Sequence, residues 1–247
     1  MIELRNLSKT YNKGAVQAVK NLSLTVGTGE LFGFLGPNGA GKTTTIKMIV
    51  GLLRPDTGQV LLNGMDTRGH AMAAKAMLGY CPDDPILYDK MTGIRFLSFI
   101  ADAYGLSAAE RGARVDELME RFEMKDALGE AITSYSHGMR QKLSLMSALI
   151  HDPQILILDE PIVGLDPRAA FALKETMKEL CAKGKTVFFS THIMEVAERL
   201  CDRVGIVSHG ELVAAAPLEE LRTKAGEKNA TLERLFLEMT NEDVVAH

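Results

Sequence analysis

No apolar run in the 247-residue sequence reaches the roughly 18–20 residues that a membrane-spanning helix requires. The N-terminal stretch Met1-Ile2-Glu3-Leu4-Arg5 does not resemble a secretory signal peptide either, because no apolar segment follows its charged residues. We therefore expect a cytoplasmic chain. If membranes matter to its function, another subunit must span them.

Cysteine is scarce, and neither charge sign is in large excess. The three cysteines, Cys81, Cys181 and Cys201, are odd in number and lack the spacing of metal ligands, so we expect partly buried thiols in a reducing compartment. The formal net charge of −4 gives no indication of a nucleic-acid surface, and no nucleic-acid partner is expected. The sequence also shows no internal repeat.

One glycine-rich stretch fits the phosphate-loop pattern G-x-x-x-x-G-K-[ST] at every fixed position. An apolar run typical of a buried strand precedes it at 31–35, and a helix-forming segment follows it to about residue 50. The predicted nucleotide-binding residues are Gly36, Pro37, Asn38, Gly39, Ala40, Gly41, Lys42, Thr43 and Thr44.

A strand, a glycine loop and a helix start supply what phosphate binding needs, because backbone N–H groups and the helix dipole surround the anionic oxygens. Lys42 is expected to reach the β- and γ-phosphates, and the Thr43 hydroxyl to bind Mg²⁺. A chance glycine turn before a helix is the alternative. The flanking pattern favours a nucleoside-triphosphate site.

Strands alternate with helices through much of the chain, which predicts an α/β fold with a mainly parallel sheet around a P-loop NTPase core. Alternating segments near the N-terminus predict an antiparallel β subdomain. We expect one domain over 1–247, with its core at 1–88 and 152–216. An α-helical lobe is inserted at about 89–151, and a helical tail follows at 217–247.

Two further polar groups follow predicted strands. Asp159 and Glu160 end an unbroken apolar strand, and His192 follows the strand 186–190. Ligands bind beyond the carboxyl ends of such strands. Asp159 would hold Mg²⁺ or its water shell together with Thr43, and Glu160 would orient or deprotonate water. A solvated loop acid and a purely structural histidine are the alternatives to catalytic Glu160 and to a His192 that contacts the γ-phosphate.

The order of these motifs resembles a nucleotide-binding subunit of an ATP-binding cassette (ABC) transporter along essentially the whole chain. Tyr11, which could be a packing aromatic or could stack on a purine, precedes the phosphate loop (Walker A). A loop at 80–85, a signature at 135–141, the acid pair (Walker B), Gly164-Leu165-Asp166 and His192 follow in the order typical of the family.

The resemblance implies a head-to-tail dimer, homo- or heteromeric, that sandwiches ATP and Mg²⁺ between one subunit's phosphate loop and the other's signature. The signature residues in trans would be Ser136, His137, Gly138 and Met139, and Asp166 would communicate across the interface. It also implies an integral membrane permease as partner, with the chain bound peripherally at the inner face of the cell membrane.

Two departures from the family's pattern matter. The signature Tyr-Ser-His-Gly-Met replaces the usual Leu-Ser-Gly-Gly-Gln, with His137 and Met139 among the differing residues, and it is similar to those of ATPases paired with separate exporter-type (ABC-2-like) permeases. The stretch 231–240 resembles the C-terminal ends of such ATPases and points to export. Asp83 stands where many members have a metal-contacting glutamine, which leaves its metal role open.

We therefore expect a subunit that hydrolyses ATP to power export through a separate permease. One alternative is a soluble ABC-type mechanochemical ATPase without a permease. Another is a nucleotide-gated binding module with negligible turnover, which the departures at Asp83 and His137 would suit. The sequence does not indicate the transported substrate, because the permease would select it.

Overall fold

The computed structural model describes residues 1–224, 226 and 230–240. Its first sheet is antiparallel, with the strand order β2-β1-β4-β5. β1 pairs with β2 on one side and with β4 on the other. These strands span β1 (Ile2–Tyr11), β2 (Val16–Val26), β4 (Thr57–Leu62) and β5 (Met65–Asp66). The antiparallel N-terminal pair predicted from the alternating segments is confirmed.

The second sheet has six strands in the order β10-β9-β3-β8-β7-β6. All neighbouring pairs are parallel except β9 and β10, which are antiparallel. The strands span β3 (Leu31–Leu35), β6 (Leu78–Cys81), β7 (Ile155–Asp159), β8 (Thr186–Thr191), β9 (Arg203–Ser208) and β10 (Glu211–Ala216). The predicted α/β class with a mainly parallel sheet is therefore confirmed.

The helices connect and cover this sheet. They span α1 (Lys42–Ile49), α2 (Ala71–Ala76), α3 (Gly93–Ala103), α4 (Ala108–Arg121), α5 (His137–Leu149), α6 (Pro167–Ala182), α7 (Met194–Leu200), α8 (Leu218–Lys224) and α9 (Leu232–Thr240). Among the described residues, none of these helices combines the length and apolarity needed to cross a bilayer.

Local sequence signals explain several helix boundaries. Ser107 and Glu110 form the expected capping box at the start of α4, in which each side chain bonds the other residue's backbone N–H. Ser136 caps α5 by accepting a hydrogen bond from the N–H of Met139.

Gly79 and α5 pack so closely that a Cβ at Gly79 would lie 2.2 Å from the Ala148 carbonyl oxygen.

β10 is absent from the predicted elements, because its Glu-Leu-Val-Ala-Ala-Ala sequence has few β-branched residues. It forms because it adds to the edge of β9 through a turn at His209 and Gly210, both at positive φ. Within the stretch 217–247, which the sequence predicts to be a helical tail, the structure contains α8 and α9. Residues 225, 227–229 and 241–247 of that stretch lie outside the described residues.

The helices of the predicted lobe share one apolar core with the parallel sheet. Phe96 of α3, Leu118 of α4 and Leu143 of α5 belong to the same buried cluster as Leu156 and Val187 of the sheet. This packing ties the signature at the start of α5 to the strands that hold the acid pair. The boundaries at 89 and 151 stay a prediction.

Candidate functional site

The phosphate loop connects β3 to the N-terminus of α1, as the sequence predicts. Its backbone passes other chain segments so closely that side chains are excluded at two glycines. A Cβ at Gly36 would lie 2.4 Å from the Val207 carbonyl oxygen, and one at Gly41 would lie 2.3 Å from the Ala18 carbonyl oxygen. Gly41 also has a φ of 104°, in the region that favours glycine.

Gly41→Ala is expected to lower the free energy of unfolding by at least about 2 kcal/mol, because it adds a backbone clash to an unfavourable φ. For a chain of this size that corresponds to a fall in Tm of roughly 4–8 °C, measurable by thermal unfolding. Gly39→Ala is the matched control. Gly39 also has positive φ, but a Cβ there would meet no described atom within 4 Å. Equal losses in the two variants would contradict the close approach.

Lys42, the first residue of α1, is buried, with only 6% of its surface exposed. Its ammonium group donates hydrogen bonds to the carbonyl oxygens of Gly36, at 2.7 Å, and Pro37, at 3.2 Å. Its Nζ also lies 3.3 Å from Oε1 of Glu160. A buried ammonium group is stable only when it is paired and hydrogen-bonded, and these three oxygens meet that requirement. The loop thus holds the positively charged ammonium group of Lys42 at its centre.

Asp159 is fully buried at the end of β7. Its Oδ1 accepts a 2.5 Å hydrogen bond from the hydroxyl of Ser190 in β8, whereas Oδ2 has no hydrogen-bond partner. Burial raises the pKa of Asp159 above its ordinary value, and the nearby carboxylates of Asp83 and Glu160 raise it further. The hydroxyls of Ser190 and Thr43 act in the opposite direction on that pKa.

Glu160 and His192 are bonded to each other. Oε2 of Glu160 lies 3.0 Å from Nδ1 of His192 and accepts a 3.3 Å hydrogen bond from the His192 backbone N–H. The Glu160 N–H donates to the hydroxyl of Ser190. Glu160 has a φ of 48°, which is uncommon for a residue other than glycine, and such strain clusters at functional sites.

Of these residues, Lys42 and Glu160 open onto one cleft. It is lined by residues of the phosphate loop, by the Walker B glutamate and by two others, namely Ala18, Pro37, Asn38, Gly39, Gly41, Lys42, Thr43, Thr44, Asp83 and Glu160. Loop amides, a helix N-terminus and a buried lysine attract an anion, while the acids offer oxygen atoms for a cation or for water. The structure thus brings together the phosphate loop, Asp83 and Glu160.

The described residues that line this cleft do not include the signature residues Ser136, His137, Gly138 and Met139. Ser136 caps α5, and the His137 ring packs against Gly164, where a Cβ would lie 2.6 Å from the ring atom Cδ2. A Cβ at Gly138 would lie 3.0 Å from the Gly164 carbonyl oxygen. The site residues predicted from the sequence therefore form two separate groups within one chain.

Asp166 belongs to the second group. Its Oδ1 accepts from the N–H of Ala169 as the N-cap of α6, and its Oδ2 lies 2.7 Å from Nζ of Lys142 in α5. The hydrogen bond and the positive charge of the Lys142 ammonium group lower the pKa of Asp166, and the backbone N–H groups of Ala169 and Arg168 act in the same direction. Tyr11 is partly exposed at the end of β1, and its stacking on a purine stays a prediction.

Sequence reasoning missed three residues that organise the site. Ser190 bonds both acids, Ala18 of β2 borders the phosphate loop, and Lys142 holds Asp166. A serine at the end of a predicted strand was a usable signal for Ser190. The other two depend on contacts between segments distant in sequence, which no local pattern reveals.

Residues 19–163 match the family model described as ABC transporter. The chain is 39% identical to the ABC-type transporter ATP-binding protein EcsA of Bacillus subtilis over 98% of each chain. It is also 39% identical to Nod factor export ATP-binding protein I of Burkholderia orbicola, over 91% of this chain and 74% of that protein.

Solved structures agree with this relationship. A structure described as an ATP-binding subunit of an ABC transporter superposes with a TM-score of 0.92 at 37% identity, covering 97% of this chain and 99% of the other. A dimeric post-hydrolysis state of the ATP-binding cassette MJ0796 bound to ADP and Pi has a TM-score of 0.81 at 26% identity, over 88% and 99% of the two chains. The chain therefore belongs to the ABC transporter family, as an ATP-binding and ATP-hydrolysing subunit.

Proposed function

We propose that this subunit hydrolyses ATP in a sandwich dimer at the inner face of the cell membrane and thereby drives export through a separate permease. The observation that supports this most directly is the division of the site residues. Lys42, Thr43 and Glu160 line one cleft, whereas Ser136 and Gly138 lie outside it on the same chain. A complete site then requires the signature of a second copy or of a related subunit.

The residues present fit Mg²⁺. Asp159 Oδ2 is a buried carboxylate oxygen without a hydrogen-bond partner, close to the Thr43 hydroxyl, and hard cations prefer such oxygens. No three His, Cys, Asp or Glu side chains in the described part of the chain are grouped to hold a metal alone. This suits Mg²⁺, which is usually bound by one or two carboxylates together with substrate phosphates.

Thr43 and Asp159 would hold Mg²⁺, and Asp83 is a further acid at the cleft. Bound there, Mg²⁺ would neutralise charge on the β- and γ-phosphate oxygens. Asp83 lines the same cleft and adds negative charge there. We expect it to act through the cleft's electrostatics.

Lys42 would exchange its bonds to the loop carbonyls and to Glu160 for bonds to the phosphates. Glu160, released from Lys42, would then accept the proton of the attacking water. The water oxygen bonds to the γ-phosphorus as the bond between that phosphorus and the β,γ-bridging oxygen breaks, which yields ADP and phosphate. His192, held by Glu160, would contact the γ-phosphate.

The partner's signature would complete this arrangement. Ser136 and the Gly138 N–H lie at the N-terminus of α5, where hydrogen-bond donors and the helix dipole suit a γ-phosphate. Moving the equilibrium between open and closed states from 1:99 to 99:1 requires about 5.5 kcal/mol of differential binding, which two triphosphates buried in the dimer would supply. The links between Lys142 and Asp166, and between His137 and Gly164, would make the signature and the Asp166 loop move together.

We expect Asp159→Asn to raise the Tm of the nucleotide-free protein. Burial raises the pKa of Asp159 in the folded state, so its ionised form destabilises the fold above the ordinary pKa of 3.8, and asparagine removes that charge. The Mg²⁺ concentration for half-maximal turnover should rise by roughly 10–100-fold. Thermal unfolding and phosphate release against Mg²⁺ concentration measure the two effects.

Asp152→Asn is the control, and its expected effect on Tm has the opposite sign. Burial opposes the ionised form of Asp152, but the ion pairs with Lys185 and Arg114 more than offset it and lower the pKa. This variant should therefore lower Tm and leave the Mg²⁺ dependence unchanged. A lower Tm for Asp159→Asn would contradict the inference that hydrogen bonds compensate the buried charge of Asp159 only in part.

An exposed aromatic patch suits the permease. Ile86 and Tyr88 lie in the loop after Asp83 and are largely exposed, and the Tyr88 ring packs edge-on against the exposed Phe99 of α3 at 5.9 Å between centroids. Contiguous exposed apolar side chains are a feature of interaction sites. A permease bound there would contact the segment that enters the nucleotide cleft.

Export is the direction that the relatives favour, since one of them is named for Nod factor export. The experiment that tests the proposal combines steady-state phosphate release with affinity purification of the tagged chain from detergent-solubilised membranes. We expect turnover and an integral membrane protein that co-purifies. Turnover with no membrane partner would favour a soluble mechanochemical ATPase, and negligible turnover would favour a nucleotide-gated module.

A further inference from the structure

Helix α7 lies between the phosphate-loop strand and the C-terminal tail. On one side it packs on β3 at Gly33, where a Cβ would lie 2.7 Å from Sγ of Cys201 and 3.5 Å from Cβ of Ala197. On the other side it shares a buried apolar cluster with α9, to which Leu232, Leu235 and Phe236 belong. α7 has only seven residues and no side-chain N-cap, so its position depends on these neighbours.

A half-buried polar group fastens the tail to α7. Nη2 of Arg222 in α8 lies 2.7 Å from Oε1 of Glu198 in α7, and their side chains are 20% and 23% exposed. The Nε of Arg222 donates to the Ala230 carbonyl oxygen at 2.9 Å, and Oε2 of Glu198 accepts from the Leu232 N–H at 3.3 Å. We call these four residues the tail latch.

The latch has a fixed geometry. The remaining nitrogen of Arg222, Nη1, bonds Glu219 at 2.7 Å, so all three guanidinium nitrogens have partners. The planar guanidinium fork holds several acceptors in set directions and loses little side-chain freedom for each hydrogen bond. Glu198 uses both carboxylate oxygens, one toward α8 and one toward the first residue of α9. The latch thereby holds α7, α8 and α9 in place relative to one another.

α7 is directly connected to the catalytic centre. It begins at Met194, two residues after His192, and the intervening Ile193 N–H donates to the Thr191 hydroxyl at 3.0 Å. His192 in turn holds Oε2 of Glu160 through its backbone N–H and its ring. A shift of α7 would therefore displace His192 relative to Glu160.

We propose that Glu198 and Arg222 are positioning residues, which hold α7 and through it set the geometry of His192 toward Glu160 and the γ-phosphate. The inference rests on the proposed role of His192 and assigns the C-terminal tail a part in hydrolysis. We expect nucleotide binding at Lys42 to be insensitive to the latch, because the phosphate loop packs closely against Val207 of β9 and Ala18 of β2, which lie outside the tail. Loss of the latch then lowers turnover and leaves ATP affinity intact.

The test compares Glu198→Ala and Arg222→Ala with the unmodified chain. We expect kcat for phosphate release to fall about tenfold, less than the roughly 100-fold that a 1 Å misplacement can cost. The Kd for a fluorescent ATP analogue should stay within about twofold. Amide hydrogen exchange of the peptide 190–195 should become faster, because the His192 N–H loses its stable bond to Glu160. Either variant is sufficient if the other fails to fold.

Glu220→Ala is the matched control. It removes an ion pair with Lys224 on the same helix α8, with side chains 52% and 64% exposed. An equal fall in kcat for this control, or unchanged exchange at 190–195 in the latch variants, would overturn the proposal.

A third comparison places the latch variants in a His192→Ala background. If the latch acts through His192, Glu198→Ala should add little to the loss of kcat already caused by His192→Ala. A further tenfold fall in that background would overturn the proposed route. Full turnover of His192→Ala alone would instead remove the role of His192 from the proposed function, while the exchange data would still report on the latch.

Discussion

Lys42→Ala is expected to abolish detectable binding of ATP. The ammonium group is the buried cation at the centre of the phosphate loop, and the loop carbonyls of Gly36 and Pro37 already hold it at 2.7 and 3.2 Å. Hydrogen bonds to charged groups contribute about 1.5–3 kcal/mol each, so the loss of two phosphate contacts weakens binding by roughly 100-fold or more. Equilibrium binding of a fluorescent ATP analogue measures the effect.

Lys47→Ala is the control for the loss of a positive charge. Lys47 lies on the same helix α1, five residues further along, and its side chain is exposed. This variant should bind ATP as the unmodified chain does. Comparable loss of affinity in both variants would mean that general electrostatic attraction, and not the Lys42 contact, determines binding. Both proteins should first be compared by thermal unfolding, because Lys42 also pairs with Glu160.

The sequence was sufficient for the parts of the site that depend on local chemistry. The glycine pattern from Gly36 to Thr43 predicts both the loop and its place between a strand and a helix, because only glycine tolerates the backbone approaches found at Gly36 and Gly41. The acid pair was predictable for a similar reason. A fully apolar strand that ends in two carboxylates has few structural explanations.

Contacts between distant segments were beyond such reasoning. Ser190 orients Asp159 and Glu160 only because β7 and β8 are neighbours in the sheet, and chain order alone does not give that pairing. β10 was missed because its alanine-rich sequence lacks β propensity, and it forms only by pairing with β9. The tail latch likewise joins Glu198 to residues 24 and 34 positions away.

Glu160→Gln is expected to keep ATP binding, lose turnover and accumulate ATP-bound dimers. Glutamine has nearly the shape of glutamate and can still accept the hydrogen bond from the His192 N–H, but it cannot take a proton from water. General base catalysis contributes roughly 10²–10⁴-fold, so kcat should fall by that factor. Phosphate release measures the loss, and light scattering with ATP and Mg²⁺ measures the dimer.

The dimer is the more informative half of this prediction. Without hydrolysis, the triphosphate stays between Lys42 of one subunit and Ser136 of the other, and the closed state persists. Glu175→Gln, which changes a half-exposed glutamate paired with Lys178, should hydrolyse normally and dimerise only transiently. Normal turnover of Glu160→Gln would refute its role as the base. Lost turnover with an ATP-bound monomer would refute the sandwich, because a cleft that closes within one chain needs no second signature.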